Sequence, residues 1–93
     1  MSDSIQGLII LGSTGSIGKS TLSVIDNNPG LFRVDGLSCY SNVEVLADQI
    51  QKYAPSIVAT AKGHSDKLRE LLGESHRGLQ ILEGEKGFIE LAE

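Results

Sequence analysis

A parallel α/β sheet is predicted for this 93-residue chain from three observations. Strand-type and helix-type apolar periods alternate from end to end, without low-complexity stretches. A nearly all-apolar run, Leu8-Ile9-Ile10-Leu11, feeds directly into Gly12-Ser13-Thr14-Gly15-Ser16-Ile17-Gly18. Breakers then punctuate the remaining alternation at Asn27-Asn28-Pro29-Gly30, Pro55 and Gly73.

The first strand is expected from about Gly7 to Leu11. The first helix follows from Ser16 to Asn28, with Ile17, Thr21, Val24 and Ile25 on one face, until Pro29 and Gly30 stop it. Phe32 to Cys39 reads as the second strand. Asn42 is a good N-cap for a second helix whose Val43, Leu46, Ala47, Ile50 and Ala54 keep a helical stripe. Pro55 opens a third strand, Ser56 to Thr60. Ser65 suits the cap of a short helix with Leu68, Leu71 and Leu72 inward, ended by Gly73, and Leu79 to Leu82 reads as a fourth strand. A last helix begins near Glu85, with Phe88, Ile89, Leu91 and Ala92 on its apolar face. No glycine, proline or basic residue closes that helix before Glu93, so a piece of a longer protein is expected. Right-handed crossovers, each strand laid beside its predecessor, give a four-stranded sheet of order 4-3-2-1 with helices on both faces.

The glycines carry the functional signal. Gly12 suits a positive-φ turn at the strand end, Gly15 lets the backbone approach a pyrophosphate, and Gly18 lets the new helix pack close to the sheet. Unpaired N–H groups of the first helical turn then face the phosphates, with the positive end of the helix dipole behind them. Three glycines alone are weak evidence, but a strand before them and a helix after them are the context a Rossmann-like dinucleotide site requires. A tight turn whose glycines serve packing alone stays open as the plainer reading. Gly18-Lys19-Ser20 imitates the end of a mononucleotide P-loop, but the first glycine of that motif would fall at Ser13, so the spacing excludes it.

Composition narrows the partners. An apolar content of 40% with 22% charged residues is ordinary for one globular domain, taken here as residues 1–93. A net charge of −4 gives no broad attraction for nucleic acid or an anionic membrane, so neither is expected as a partner. Phosphate recognition must then be local. Cys39 has no second cysteine to pair with, the start Met-Ser-Asp-Ser is unlike a signal peptide, and the apolar runs are too short to span a bilayer. A cytoplasmic location is expected.

The end of the second strand bears on the choice of cofactor. A carboxylate there would accept a ribose 2′-hydroxyl and repel a 2′-phosphate, yet Leu37-Ser38-Cys39-Tyr40-Ser41-Asn42 contains no acid. Ser38, Ser41 and Asn42 are able to donate to a phosphate beside the second helix N-terminus, which favours NADP over NAD. The same residues also serve as an ordinary helix cap, and that reading stays open. Asp35, in mid-strand, reads as a polar strand residue rather than a ribose ligand.

Gly12 to Gly18 followed by Ser20-Thr21-Leu22, then Asn28-Pro29 with Phe32-Arg33-Val34, resembles the opening of 1-deoxy-D-xylulose 5-phosphate reductoisomerases. Ser41-Asn42-Val43, Leu46-Ala47-Asp48-Gln49, Pro55 and Leu82-Glu83-Gly84 sit where that family has them, so the resemblance covers essentially the whole chain. It implies the NADPH-binding part of an enzyme that rearranges 1-deoxy-D-xylulose 5-phosphate and reduces it to 2-C-methyl-D-erythritol 4-phosphate, in isoprenoid precursor synthesis. Thr14, Gly15, Ser16 and Ile17 would line the pyrophosphate, and Tyr40, Ser41 and Asn42 would surround the adenosine 2′-phosphate. A divalent metal, Mg or Mn, belongs to the whole enzyme, a homodimer in expectation, and its ligands lie outside this chain. These 93 residues alone are expected to be inactive. Two departures matter: Tyr40 stands where the family commonly has glycine, and Ser41 where some members have a basic residue. Tyr40 either stacks on the adenine or narrows the site, and selectivity rests less on charge. A non-catalytic nucleotide- or CoA-binding module of the same fold is the alternative.

Other reactive residues point to little chemistry. His64 and His76 lack partners at metal-ligand spacing. Ser13, Ser16 and Ser20 lack an identifiable base, and Cys39 reads as a core thiol. Finally, an order of 4-3-2-1 leaves Leu8 to Leu11 at an edge without Lys, Pro or bulge, so self-association through strand one, or cover by a rearranged terminal segment, is expected.

Overall fold

A computed structural model of the chain describes residues 5–76 and 78–92. Its elements are β1 Gln6–Ile10, α1 Ser16–Asp26, β2 Phe32–Ser38, α2 Val43–Tyr53, β3 Ile57–Thr60, α3 Ser65–Leu72, a single 3₁₀ turn Gly73–His76, β4 Gln80–Glu83 and α4 Gly84–Ala92. All neighbouring strands pair in parallel and the sheet order is β1-β2-β3-β4, the predicted order read from its other edge. Element boundaries fall within two residues of expectation throughout.

The three helices α1 to α3 cover one face. Leu22 and Ile25 of α1, Leu46 and Ile50 of α2 and Leu68 and Leu72 of α3 join Ile10, Leu37 and Val58 of the sheet in one core. On the opposite face, the space a Gly36 side chain would take is filled by Leu91 of α4 and by Ile57. A parallel connection moving steadily one way must cross on one side, and α4 is the first helix to return on the other.

Burial corrects several predicted faces. In α1 the buried residues are Gly18, Leu22 and Ile25, while Ile17 is 83% and Val24 56% exposed. Both sets keep helical spacing, and close contact of Gly18 with the preceding turn selects which one faces inward. Helix α1 also ends at Asp26 rather than Asn28: the Asn28 N–H donates to the Ile25 carbonyl, and its side-chain amide donates to that of Val24. In α2, Ala54 is an exposed left-handed C-cap with φ 50°, and Gln49 takes the buried place instead. Leu71 and Ile89 are exposed on α3 and α4, as is Ala92, where Leu68, Leu72 and Leu91 are buried. His64 rather than Ser65 occupies the N-cap of α3, because the Ser65 hydroxyl donates to the Glu83 carboxylate, which also accepts the Gly63 N–H.

Pairing of β1 with β2 slips by one residue, Leu8 opposing Val34 and Ile9 opposing Gly36. The extra residue is therefore Asp35, on the inner strand, where it pairs with Arg33 across solvent-exposed side chains. The expectation of an edge pair without a bulge is thereby corrected, the extra residue lying on β2, and Ile5, Ile9 and Leu11, at alternate positions in and beside β1, are 48%, 43% and 54% exposed.

Candidate nucleotide-binding site

Strand β1 runs out at Ile10, and two residues later Gly12 turns the chain with φ +67°, a conformation that costs a residue with a Cβ. The Gly15 N–H donates to the Gly12 carbonyl at 3.0 Å and closes the turn, and Gly15 becomes the N-cap of α1 in extended conformation. Helical bonding begins with Lys19, whose N–H reaches the Gly15 carbonyl. Among the described residues, the N–H groups of Thr14, Ser16 and Ile17 therefore have no acceptor. No acid stands in that first turn. Free donors, the positive helix end and absent carboxylates together suit an anion.

The two remaining glycines do different work. At Gly15 a Cβ would meet only the Gly12 carbonyl oxygen, at an ordinary 3.5 Å, so the space beyond it is open to a ligand. At Gly18 a Cβ would overlap the Gly12 carbonyl and lie 2.5 Å from Ser13 Cα. The first leaves room outside and the second lets α1 seat against the turn.

A buried polar cluster holds the loop from behind. Ser38 Oγ accepts the Gly12 N–H at 2.9 Å, and the Ser38 carbonyl accepts the Ser13 N–H at 2.8 Å. The Ser13 hydroxyl donates to Gln49 Oε1 at 2.7 Å, and Gln49 Nε2 donates to the Ser13 carbonyl at 2.8 Å. Ser13, Ser38 and Gln49 are all buried. Ser38 thus supports the loop from inside instead of facing a phosphate, because its hydroxyl points back at Gly12.

Tyr40, Ser41 and Asn42 lie at the adjoining strand end, all exposed. The Asn42 side chain caps α2 by accepting the Val45 N–H, and the Tyr40 carbonyl accepts the Ala61 N–H at 2.9 Å, tying this loop to the one after β3. There a groove of about 360 Å³ opens between Tyr40, Ala61, Lys62, Gly84, Glu85 and Phe88. So Gly12, Thr14, Gly15, Ser16, Ile17 and Gly18 form one turn, Ser38 bonds to it, and Tyr40 to Asn42 continue from Ser38 along the carboxyl edge of the sheet.

Sequence reading missed Gln49 as a support and the groove beside Lys62. Gln49 had one legible signal, an amide set between Leu46, Ala47 and Ile50 on the apolar side of its helix. Cys39 is buried, and burial pushes its thiol up to about 11, which keeps it protonated and inert near neutrality. Among the described residues, no group of three His, Cys, Asp or Glu side chains is arranged to hold a metal.

A parallel sheet whose first strand turns through glycines into an anion-binding helix start defines a Rossmann-type nucleotide-binding unit. The sequence model for 1-deoxy-D-xylulose 5-phosphate reductoisomerase matches residues 8–93, and the chain belongs to that family. The enzyme of that name from Glaesserella parasuis is 47% identical over 89 residues, covering 95% of this chain and 22% of the relative. The chloroplastic enzyme from Oryza sativa is 42% identical over 91 residues, covering 97% and 19%. Among solved structures, a reductoisomerase in complex with NADPH, fosmidomycin and magnesium superposes with a TM-score of 0.88 at 34% identity, covering 95% of this chain and 22% of that one. The Zymomonas mobilis enzyme in complex with NADPH gives 0.85 at 30%, covering 96% and 23%. The chain thus spans about a fifth of the length of the relatives it matches.

Proposed function

We propose that residues 1–93 form a single, partial NADPH-binding domain of a reductoisomerase that converts 1-deoxy-D-xylulose 5-phosphate to 2-C-methyl-D-erythritol 4-phosphate. The observation that carries this reading is the start of α1, where the N–H groups of Thr14, Ser16 and Ile17 lack acceptors among the described residues while Gly12 and Ser13 behind them are held by Ser38 and Gln49. Two similar structures hold NADPH, which agrees with it. Thr14, Ser16 and Ile17 would bind the pyrophosphate through backbone N–H groups. Ser41 and Asn42 would meet the 2′-phosphate at the α2 N-terminus, and Tyr40 would flank the adenine at the groove it shares with Lys62 and Phe88. When bound, NADPH supplies the hydride for reduction; this chain's own part is to bind and orient the adenosine and pyrophosphate. The divalent metal is assigned to residues other than these 93, which alone would bind cofactor without turnover. Cytoplasm is the proposed compartment, consistent with one buried, unpaired cysteine.

Calorimetric titration of the 93-residue chain with NADPH, NADH and 2′-phospho-AMP tests the reading. Tighter binding of the two 2′-phosphorylated nucleotides than of NADH is expected. NADH binding as tightly as NADPH would remove the preference, and absence of all binding would remove the function.

The same 93 residues, studied alone, are proposed to self-associate through β1, which stands at the edge of the order β1-β2-β3-β4 with no strand beside it among the described residues. Sedimentation should show mass rising with concentration, and Ile9→Lys should lower it by placing charge on the pairing edge. A monomer at all concentrations, with fast amide exchange at residues 8–11, contradicts this.

A further inference from the structure

Gln49 carries an uncharged amide into a core that a leucine would fill as well, and leaving such a group unpaired in the interior is costly. It has both of its partners in one residue, donating to the Ser13 carbonyl at 2.8 Å and accepting from the Ser13 hydroxyl at 2.7 Å. The Ser13 hydroxyl keeps the Ser38 carbonyl as a longer second acceptor at 3.1 Å, and the Ser13 N–H is held by that same carbonyl. Ser13 is 0% exposed. In a trans peptide the C=O and the following N–H point in opposite directions. Holding the Ser13 carbonyl inward on Gln49 therefore turns the Thr14 N–H outward, to the side where it has no acceptor among the described residues.

We propose that Gln49 is a positioning residue: its side-chain amide fixes the Ser13–Thr14 peptide so that the Thr14 N–H points at the bound phosphate. This rests on the pyrophosphate reading above. Without the amide donor the peptide is free to rotate, and the loop loses a preset phosphate ligand although Gln49 never touches the cofactor.

Gln49→Glu is nearly the same shape and separates positioning from packing. A charged carboxylate would set oxygen against the Ser13 carbonyl oxygen, whereas a protonated carboxyl would restore a donor. The charged groups around position 49 are Lys19 and Asp26 on α1 and Asp48 and Lys52 on α2, with the Tyr53 hydroxyl. They are common to both proteins and cancel in a ratio of affinities, as does titration of the ligand itself. Affinity should be measured for NADPH and for inorganic pyrophosphate from pH 5 to pH 8. The variant is expected to bind both about tenfold more weakly than the unaltered chain at pH 8 and to approach it at pH 5. A ratio that stays near one at every pH, with the fold intact, overturns the proposal. Gln49→Leu keeps the volume and removes the donor at all pH values. It should lose about the same factor for both probes at pH 5 and pH 8 alike, and unchanged affinity in that variant also overturns the proposal. An unaltered chain that binds pyrophosphate but not NADPH would defeat the cofactor assignment while leaving the Gln49 comparison decided by pyrophosphate.

Discussion

Gly18→Ala is expected to lower stability by about 1–3 kcal/mol, the range for forcing atoms into a filled space. The direction is opposite to the usual one, since alanine is about 1 kcal/mol better than glycine inside a helix. What reverses it is the backbone on the other side: the new Cβ would overlap the Gly12 carbonyl and stand 2.5 Å from Ser13 Cα. Neither atom belongs to a side chain that swings aside. Helix α1 must then lift from the turn, which unseats Leu22 and Ile25, only 4% and 8% exposed. For a domain of this size the thermal midpoint should fall by roughly 5–20 °C. A midpoint at or above that of the unaltered chain would mean that α1 does not seat on the turn as described.

Gly15→Val should separate function from fold. The backbone at Gly15, φ −82° and ψ 174°, is extended and open to any residue, and its Cβ position meets only one atom, at 3.5 Å. Valine is a poorer N-cap than glycine, so the thermal midpoint should move by about 5 °C or less. Its side chain, however, would occupy the open space that the pyrophosphate must enter. NADPH affinity is expected to fall by more than about tenfold, which corresponds to loss of a single well-placed phosphate contact. Retained affinity in a folded Gly15→Val chain would put the ligand somewhere else. The pair of variants is informative together, because one glycine guards the packing side of the loop and the other its solvent side.

The open space at Gly15 and the close contact at Gly18 are legible in the sequence, since glycine spacing between a strand and a helix encodes backbone geometry directly. Strand order followed from the handedness of crossovers, and the Asn42 cap from a local side-chain bond. The inward face of α1 was legible only at Ile25, which is buried as expected. Ile17, Thr21 and Val24 make as good a helical stripe as Gly18, Leu22 and Ile25, and only the contact of Gly18 with a turn that precedes the helix decides between them. Gln49 escaped for a related reason: its meaning depends on Ser13, 36 residues away, and a glutamine in a helix ordinarily reads as surface. Ser38 has the chemistry of a phosphate donor, but its bond to the Gly12 N–H turns it inward. Lys62 became visible only when the loops after β2 and β3 were tied through Tyr40 and Ala61.

The claim that backbone N–H groups at the start of α1 bind the cofactor is tested most directly by amide NMR of the 93-residue chain during titration with NADPH. The largest shifts are predicted at Thr14, Ser16 and Ile17, with a second set at Tyr40, Ser41 and Asn42. Shifts confined to the groove between α1 and α2, at Lys19, Asp26, Lys52 and Tyr53, with Thr14 to Ile17 unmoved, would contradict it.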